Sequence, residues 1–131
     1  MKRARVIVTH RAPDRPAIRV VAGDTVTLGD RDIDWPHFVW ATLASGLGGW
    51  MPAAMFDAER GAARARDDYD TRELDAEAGE VLVLHHEIAD WWWAENVLGT
   101  TGWIPARNLE PFTASPPAES PTEPPSEEKP A

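Results

Sequence analysis

Cysteine is absent from this chain of 131 residues, so neither a disulfide framework nor thiol chemistry is available. Long apolar runs are missing too. The basic start, Met1 to Arg5, leads only into Val6-Ile7-Val8, too short for the apolar region of a signal peptide, and no stretch could span a bilayer. Together these absences point to the cytoplasm. There is no Gly-rich phosphate loop, no Ser/His/Asp set and no His-Glu-x-x-His. The carboxylates fall in loops, without the buried pair that raises a pKa for acid catalysis. His85 and His86 stand beside Glu87, but neighbours on a strand point to opposite faces and do not chelate together. Neither an enzyme, a cofactor nor a metal site is expected. Positive charge is scarce over the second half: residues 61–112 hold four Lys/Arg against eleven Asp/Glu, whereas residues 1–60 hold eight against seven. Such a surface repels nucleic acid and favours basic peptide or protein partners.

What the chain has in quantity is tryptophan, seven in all. The richest stretch runs from Glu87 to Pro111, where Trp91-Trp92-Trp93-Ala94 leads through a Gly/Thr turn to Trp103-Ile104-Pro105. Trp, Val and Ile on either side of such a turn predict a hairpin, and Pro105 stops the ladder because it has no amide to donate. The pattern occurs twice. With an offset of 53 residues, Trp40, Ala41, Gly46, Gly49, Trp50, Pro52 and Ala53 coincide with Trp93, Ala94, Gly99, Gly102, Trp103, Pro105 and Ala106. Apolar positions repeat as well: Ile18, Val20, Val26 and Leu28 answer to Leu74, Ala76, Leu82 and Leu84. The repeat predicts two units of about 50 residues, near the lower size limit for a domain without disulfides or metals.

In the second copy the order Leu74-Asp75-Ala76, Gly79-Glu80, Val81 to Leu84, Asp90 to Ala94 and Gly102 to Pro105 resembles an SH3 (Src homology 3) domain of the divergent bacterial kind. Ala65-Arg66-Asp67-Asp68-Tyr69 stands where that family opens with Ala-Leu-Tyr-Asp-Tyr. The resemblance covers 64–112 and, less specifically, 4–57. It implies an all-β fold of two tandem SH3-like small barrels: residues 1–57, a linker over 58–63, and residues 64–112. Val6–Val8 and Ala65–Tyr69 are the expected opening strands. A Pro/Glu-rich tail over 113–131, with Pro121-Thr122-Glu123-Pro124 as a PxxP, cannot bury enough surface to fold and is expected to be disordered.

The resemblance also implies a groove for a proline-rich segment, with aromatic walls for the rings and carboxylates for a flanking cation. In the second copy the walls fall on Tyr69, Trp91, Trp103 and Pro105, and the acidic set on Asp68, Asp70 and Glu73. Asp67 and Asn108 depart from the pattern, replacing two groove tyrosines. The first copy offers Trp50, Pro52, Met55 and either Trp35 or Phe38. Its loop after Gly29 is three residues longer than the equivalent loop of the second copy. Ala94 is expected to face the core, so Trp93, and Trp40 in the other copy, point away from it. Such outward rings need a cover, and an interface between repeats or protomers supplies one. Two functions follow. One is a cytoplasmic adaptor that binds proline-containing or basic peptide segments. The other is an assembly protein whose tryptophans mediate oligomer or complex formation with the grooves unused.

Overall fold

The computed structural model describes residues 1–112, and the tail with its PxxP lies outside them. Among the described residues the protein is all-β, with no α-helix and two single turns of 3-10 helix at Ala53–Met55 and Ala106–Asn108. Among the described residues no helix is long and apolar enough to cross a membrane.

The elements fall in two runs of similar order. Strands β1 (Lys2–Val6), β2 (Arg19–Val20), β3 (Thr25–Arg31), β4 (Phe38–Thr42) and β5 (Gly48–Pro52) occupy the first half. Strands β6 (Gly61–Arg64), β7 (Tyr69–Asp70), β8 (Val81–Ile88), β9 (Trp91–Glu95), β10 (Thr101–Pro105) and β11 (Leu109–Pro111) occupy the second. The repeat has a backbone signature. Gly46 and Gly99 both hold the left-handed conformation, at φ 95° and 84°, in the turns before β5 and β10, where glycine adopts it without a Cβ clash. The register slips at Leu28/Arg31 in β3 and at Leu84/His86 in β8 are likewise equivalent.

The two larger sheets do not follow the sequence halves. One runs β10-β9-β8-β1-β11 and the other β5-β4-β3-β6, so each contains a strand from the opposite half. Lys2–Val6 lies between β8 and β11, whereas Gly61–Arg64 lies on β3. The exchange is reciprocal down to single bonds. Val6 donates to Glu80 O and accepts from Gly79 N, at 2.8 and 2.7 Å. Ala65 donates to Asp24 O and accepts from Gly23 N, both at 2.8 Å. The next segments cross as well: His10 bridges Ala76, while β7 pairs with β2.

Both opening strands therefore differ from expectation. The first is Lys2–Val6, with Ile7 and Val8 exposed, and the second begins at Gly61, inside the stretch read as linker. The physical reason lies in that short connection. Asp57 N donates to Arg64 O, Arg64 N donates to Asp57 Oδ1, and Phe56 bridges Ala65. The chain leaving Phe56 turns straight back, so that Ala65 bridges Phe56 and Gly61–Arg64 joins β3 of the same sheet, which costs less loop entropy than crossing to the other sheet. The slot beside β8 falls to Lys2–Val6. Ala4 and Val6 point into the core there, and cations of the same strand ride over aromatic faces: Lys2 lies 5.0 Å from Trp92 and Arg5 5.1 Å from Phe112.

Two apolar clusters result. The smaller joins Ala4 and Val6 to Leu74, Leu82, Leu84, Ala94 and Ile104. The larger joins Val26, Leu28, Val39, Ala41 and Met51 to Ala63, Ala65, Tyr69 and Trp103. Strand alternation sorts the tryptophans. Trp92 packs with Ala94 on the smaller cluster, and Trp91 and Trp93 pack on the larger.

Candidate functional site

Because the halves exchange strands, their aromatic faces meet. A single cleft of about 310 Å³ is lined from the first half by Arg11, Pro13, Arg15, Asp32, Trp35, Phe38 and Trp50. From the second half come Tyr69, Thr71, Glu73, Trp91 and Trp103. Six of the expected site residues (Trp35, Trp50, Tyr69, Glu73, Trp91 and Trp103) thus share one concavity instead of two separate grooves.

Its floor is built around Trp91. His10, Trp35 and Phe38 meet that ring edge-on, with centroids 5.6, 5.3 and 6.2 Å away. Trp35 and Phe38, alternatives by sequence, are both there. Phe38 opens β4 opposite Pro52, as Trp91 opens β9 opposite Pro105. Trp35 arrives on the longer loop after β3. Asp32 Oδ2 accepts its amide at 2.9 Å, and the Arg107 guanidinium lies 4.6 Å over its ring. The indole Nε1 of Trp91 is buried without an acceptor among the described residues, a donor whose desolvation costs about 1–3 kcal/mol.

Trp103 is held more rigidly. Its ring stacks on Tyr69 at 5.5 Å and 18°, meets Trp93 edge-on at 5.2 Å, and donates Nε1–H to Asp70 O at 2.7 Å. It is a core ring with one edge in the cleft. Burial pushes the Tyr69 hydroxyl well above its ordinary pKa, with Glu73 and Asp70 adding to the shift.

The acidic set is already engaged. Glu73 Oε1 lies 2.9 Å from His10 Nε2. Asp68 Oδ1 accepts the Ala22 amide at 2.9 Å, and Asp70 Oδ1 accepts the Arg72 amide at 2.8 Å. Asp68 and Asp70 face a neighbouring hollow with Arg19, Arg72, His86 and Trp93. Met55 is buried in the larger cluster, and Pro52 lines a third hollow with Phe56 and Ile88. Pro105 is buried at the end of β10. None of these five lines the cleft. An arginine covers each outward ring: Arg15 lies 5.5 Å over Trp40, which also meets Trp50, and Arg72 lies 5.5 Å over Trp93. His85 reaches Glu95 at 3.0 Å while His86 faces Trp103, on the opposite side of the strand.

Sequence reasoning missed the contribution of Arg11, Pro13 and Arg15. They lie in His10–Pro16, a basic, proline-bearing loop that the SH3 resemblance makes the RT loop, one wall of the groove, without naming its side chains as site residues. It docks on the acidic stretch after β7: Arg11 pairs with Glu77, and the Ala12 amide donates to Asp75 Oδ1 at 2.7 Å.

Comparison with known families rests on the second half. Residues 62–112 match the variant SH3 domain. No curated protein and no solved structure matches the chain. An SH3-type domain is a non-enzymatic interaction fold whose members bind protein partners. The matched segment begins inside β6, so its opening residues pair with β3 while β1 takes the place beside β8. A second copy over the first half is not part of the match.

Proposed function

We propose that this protein is an interaction module that takes a proline-containing segment of a protein partner in the aromatic cleft. On this reading residues 1–57 and 64–112 are two SH3-like units, each completed by the other's opening strand. The observation that carries the reading is the convergence of Trp35, Trp50, Trp91 and an edge of Trp103 on one concavity. Flat rings suit proline, whose extended helix is already ordered and loses little entropy on docking. The cleft volume falls in the range of specific ligand pockets. Attraction for a basic flank is the weaker element, since Asp68, Asp70 and Glu73 hold internal partners. The absence of cysteine suits a reducing, cytoplasmic setting.

The test is an indole nitrogen–proton titration of the full chain with a pool of proline-containing peptides. Shifts centred on Trp35, Trp50 and Trp91 are expected, and Trp50→Ala is expected to weaken binding about 30-fold, the scale of an aromatic hot spot. Titration without shifts, with a mass by light scattering that rises with concentration, would instead favour the assembly reading through Trp40 and Trp93.

A further inference from the structure

Strands β2 and β7 join the halves, pairing Val20 with Tyr69 and Arg19 with Asp70, so Ile18 and Thr71 face each other at the next step. Thr71 N donates to Ile18 O at 2.9 Å, which makes this a hydrogen-bonded pair, one whose residues ordinarily exchange both main-chain bonds. The second bond is replaced. Ile18 N donates to Thr71 Oγ1 at 2.9 Å, and the same hydroxyl donates to Ile18 O at 3.3 Å. Among the described residues no backbone amide donates to the Thr71 carbonyl. A side chain thus completes the ladder, and the main chain at Thr71 is free to turn away from it.

One residue later the chain lies on another strand. Trp103 N donates to Arg72 O and Leu74 N donates to Trp103 O, each at 2.9 Å, with Glu73 bridging Trp103 in parallel. Asp70 Oδ1 accepts the Arg72 amide at 2.8 Å and braces the turn between the two pairings. This run sets Glu73 in the cleft wall, where its Oε1 lies 2.9 Å from His10 Nε2. Thr71 also lines the cleft, and its Cγ2 lies 3.1 Å from where a Cβ on Gly49 would be, next to Trp50.

We infer that Thr71 is a positioning residue of the cleft. Its hydroxyl takes the Ile18 amide, which lets the chain pass from the β2 ladder to the edge of β10 and places Glu73 against His10. Its methyl fills the space beside Gly49. The role rests on the cleft as the binding site and adds a residue that fixes its wall. Without the hydroxyl, the amide of buried Ile18 loses its acceptor, and a buried amide left unpaired is costly. The regular substitute in an antiparallel ladder is the Thr71 carbonyl. Turning that carbonyl toward Ile18 prolongs the ladder at the place of the turn, and it draws Arg72 and Glu73 off β10.

The experiment compares the full chain with Thr71→Val, which keeps the shape and removes the hydroxyl, and with Thr71→Ser, which restores the hydroxyl. Amide hydrogen exchange is followed without ligand, and the cleft indoles are then titrated with the pool of proline-containing peptides. In Thr71→Val the Trp103 and Leu74 amides are expected to exchange about tenfold faster relative to Ala4 in β1, and binding to weaken about tenfold, the scale of one main-chain bond. Thr71→Ser is expected to return both amides to slow exchange. Thr71→Val with unchanged exchange at Trp103 and Leu74, or with exchange quickened equally in β1, overturns the positioning role and leaves the cleft standing. Should Thr71→Val not fold, fast exchange at Trp103 in Thr71→Ser overturns it as well. Absence of indole shifts in the unsubstituted chain overturns the cleft reading and with it the role of Thr71 in binding, and the exchange measured without ligand tells the two failures apart.

Discussion

Tyr69 is the chain's sole tyrosine, and its position makes it a reporter of the joint between the halves. Its hydroxyl is buried against Trp103, which holds the proton on in the folded state above the ordinary value of 10.0. An unfolded chain releases that proton once pH passes about 10, so stability is fully present below that pH and declines as pH rises toward the folded value. The expected slope is up to about 1.4 kcal/mol per pH unit, absent in Tyr69→Phe. Absorbance at the tyrosinate band should rise only as the tryptophan emission reports unfolding. Gly102 supplies a second residue-scale test. A methyl there meets the Glu73–Leu74 backbone at 2.8 Å, which has no flexible end to yield, so Gly102→Ala is expected to destabilise by about 1–3 kcal/mol in chemical denaturation.

Among the elements, β1 bears more than its length suggests. It sits between β8 and β11, so losing it opens two ladders and uncovers Leu82 and Leu84. Ala4 faces that cluster at 2% exposure, and a carboxylate there would be desolvated without a partner. Ala4→Glu is expected to cost several kcal/mol and to lower the melting temperature of the whole protein as one transition. The tryptophan strands were legible from sequence because Trp/Ala alternation and the turn glycines carry local signals: β4, β5, β9 and β10 lie where the pattern put them. The opening strands were not. Lys2-Arg3-Ala4-Arg5 reads as a charged, frayed start, and only contacts with Trp92 and Phe112 show why its cations tolerate a central strand.

At the scale of the molecule, the exchange makes each half depend on the other. Residues 1–57 lack the strand that covers β3, and residues 58–112 lack the one between β8 and β11. Neither fragment is expected to give a dispersed amide spectrum alone, whereas an equimolar mixture should recover the spectrum of the intact chain. A folded 58–112 fragment on its own would show that the exchange is dispensable. The same exchange explains why the site was only half legible. The SH3 pattern assigned Tyr69, Glu73, Trp91 and Trp103 to one of two grooves, and the structure lines a single cleft with them. Trp35, Trp50 and the Arg11–Arg15 segment reach the same cleft only through long-range pairing.

By itself the sequence determined an all-β protein with a twofold internal pattern, turns at Gly46 and Gly99, and strands whose alternation sorts Trp92 from Trp91 and Trp93. These are local matters of side-chain period and backbone freedom, written in neighbouring residues. Only the tertiary structure decided which sheet receives each opening strand and that the two aromatic faces form one cleft. It also decided that the Glu73–Leu74 backbone lies against Gly102 whereas the side chains of Thr71 and Ile18 lie against Gly49. Those outcomes depend on loop closure at Asp57–Arg64 and on which acceptor takes the Ile18 amide, and neither is encoded in a period or a motif.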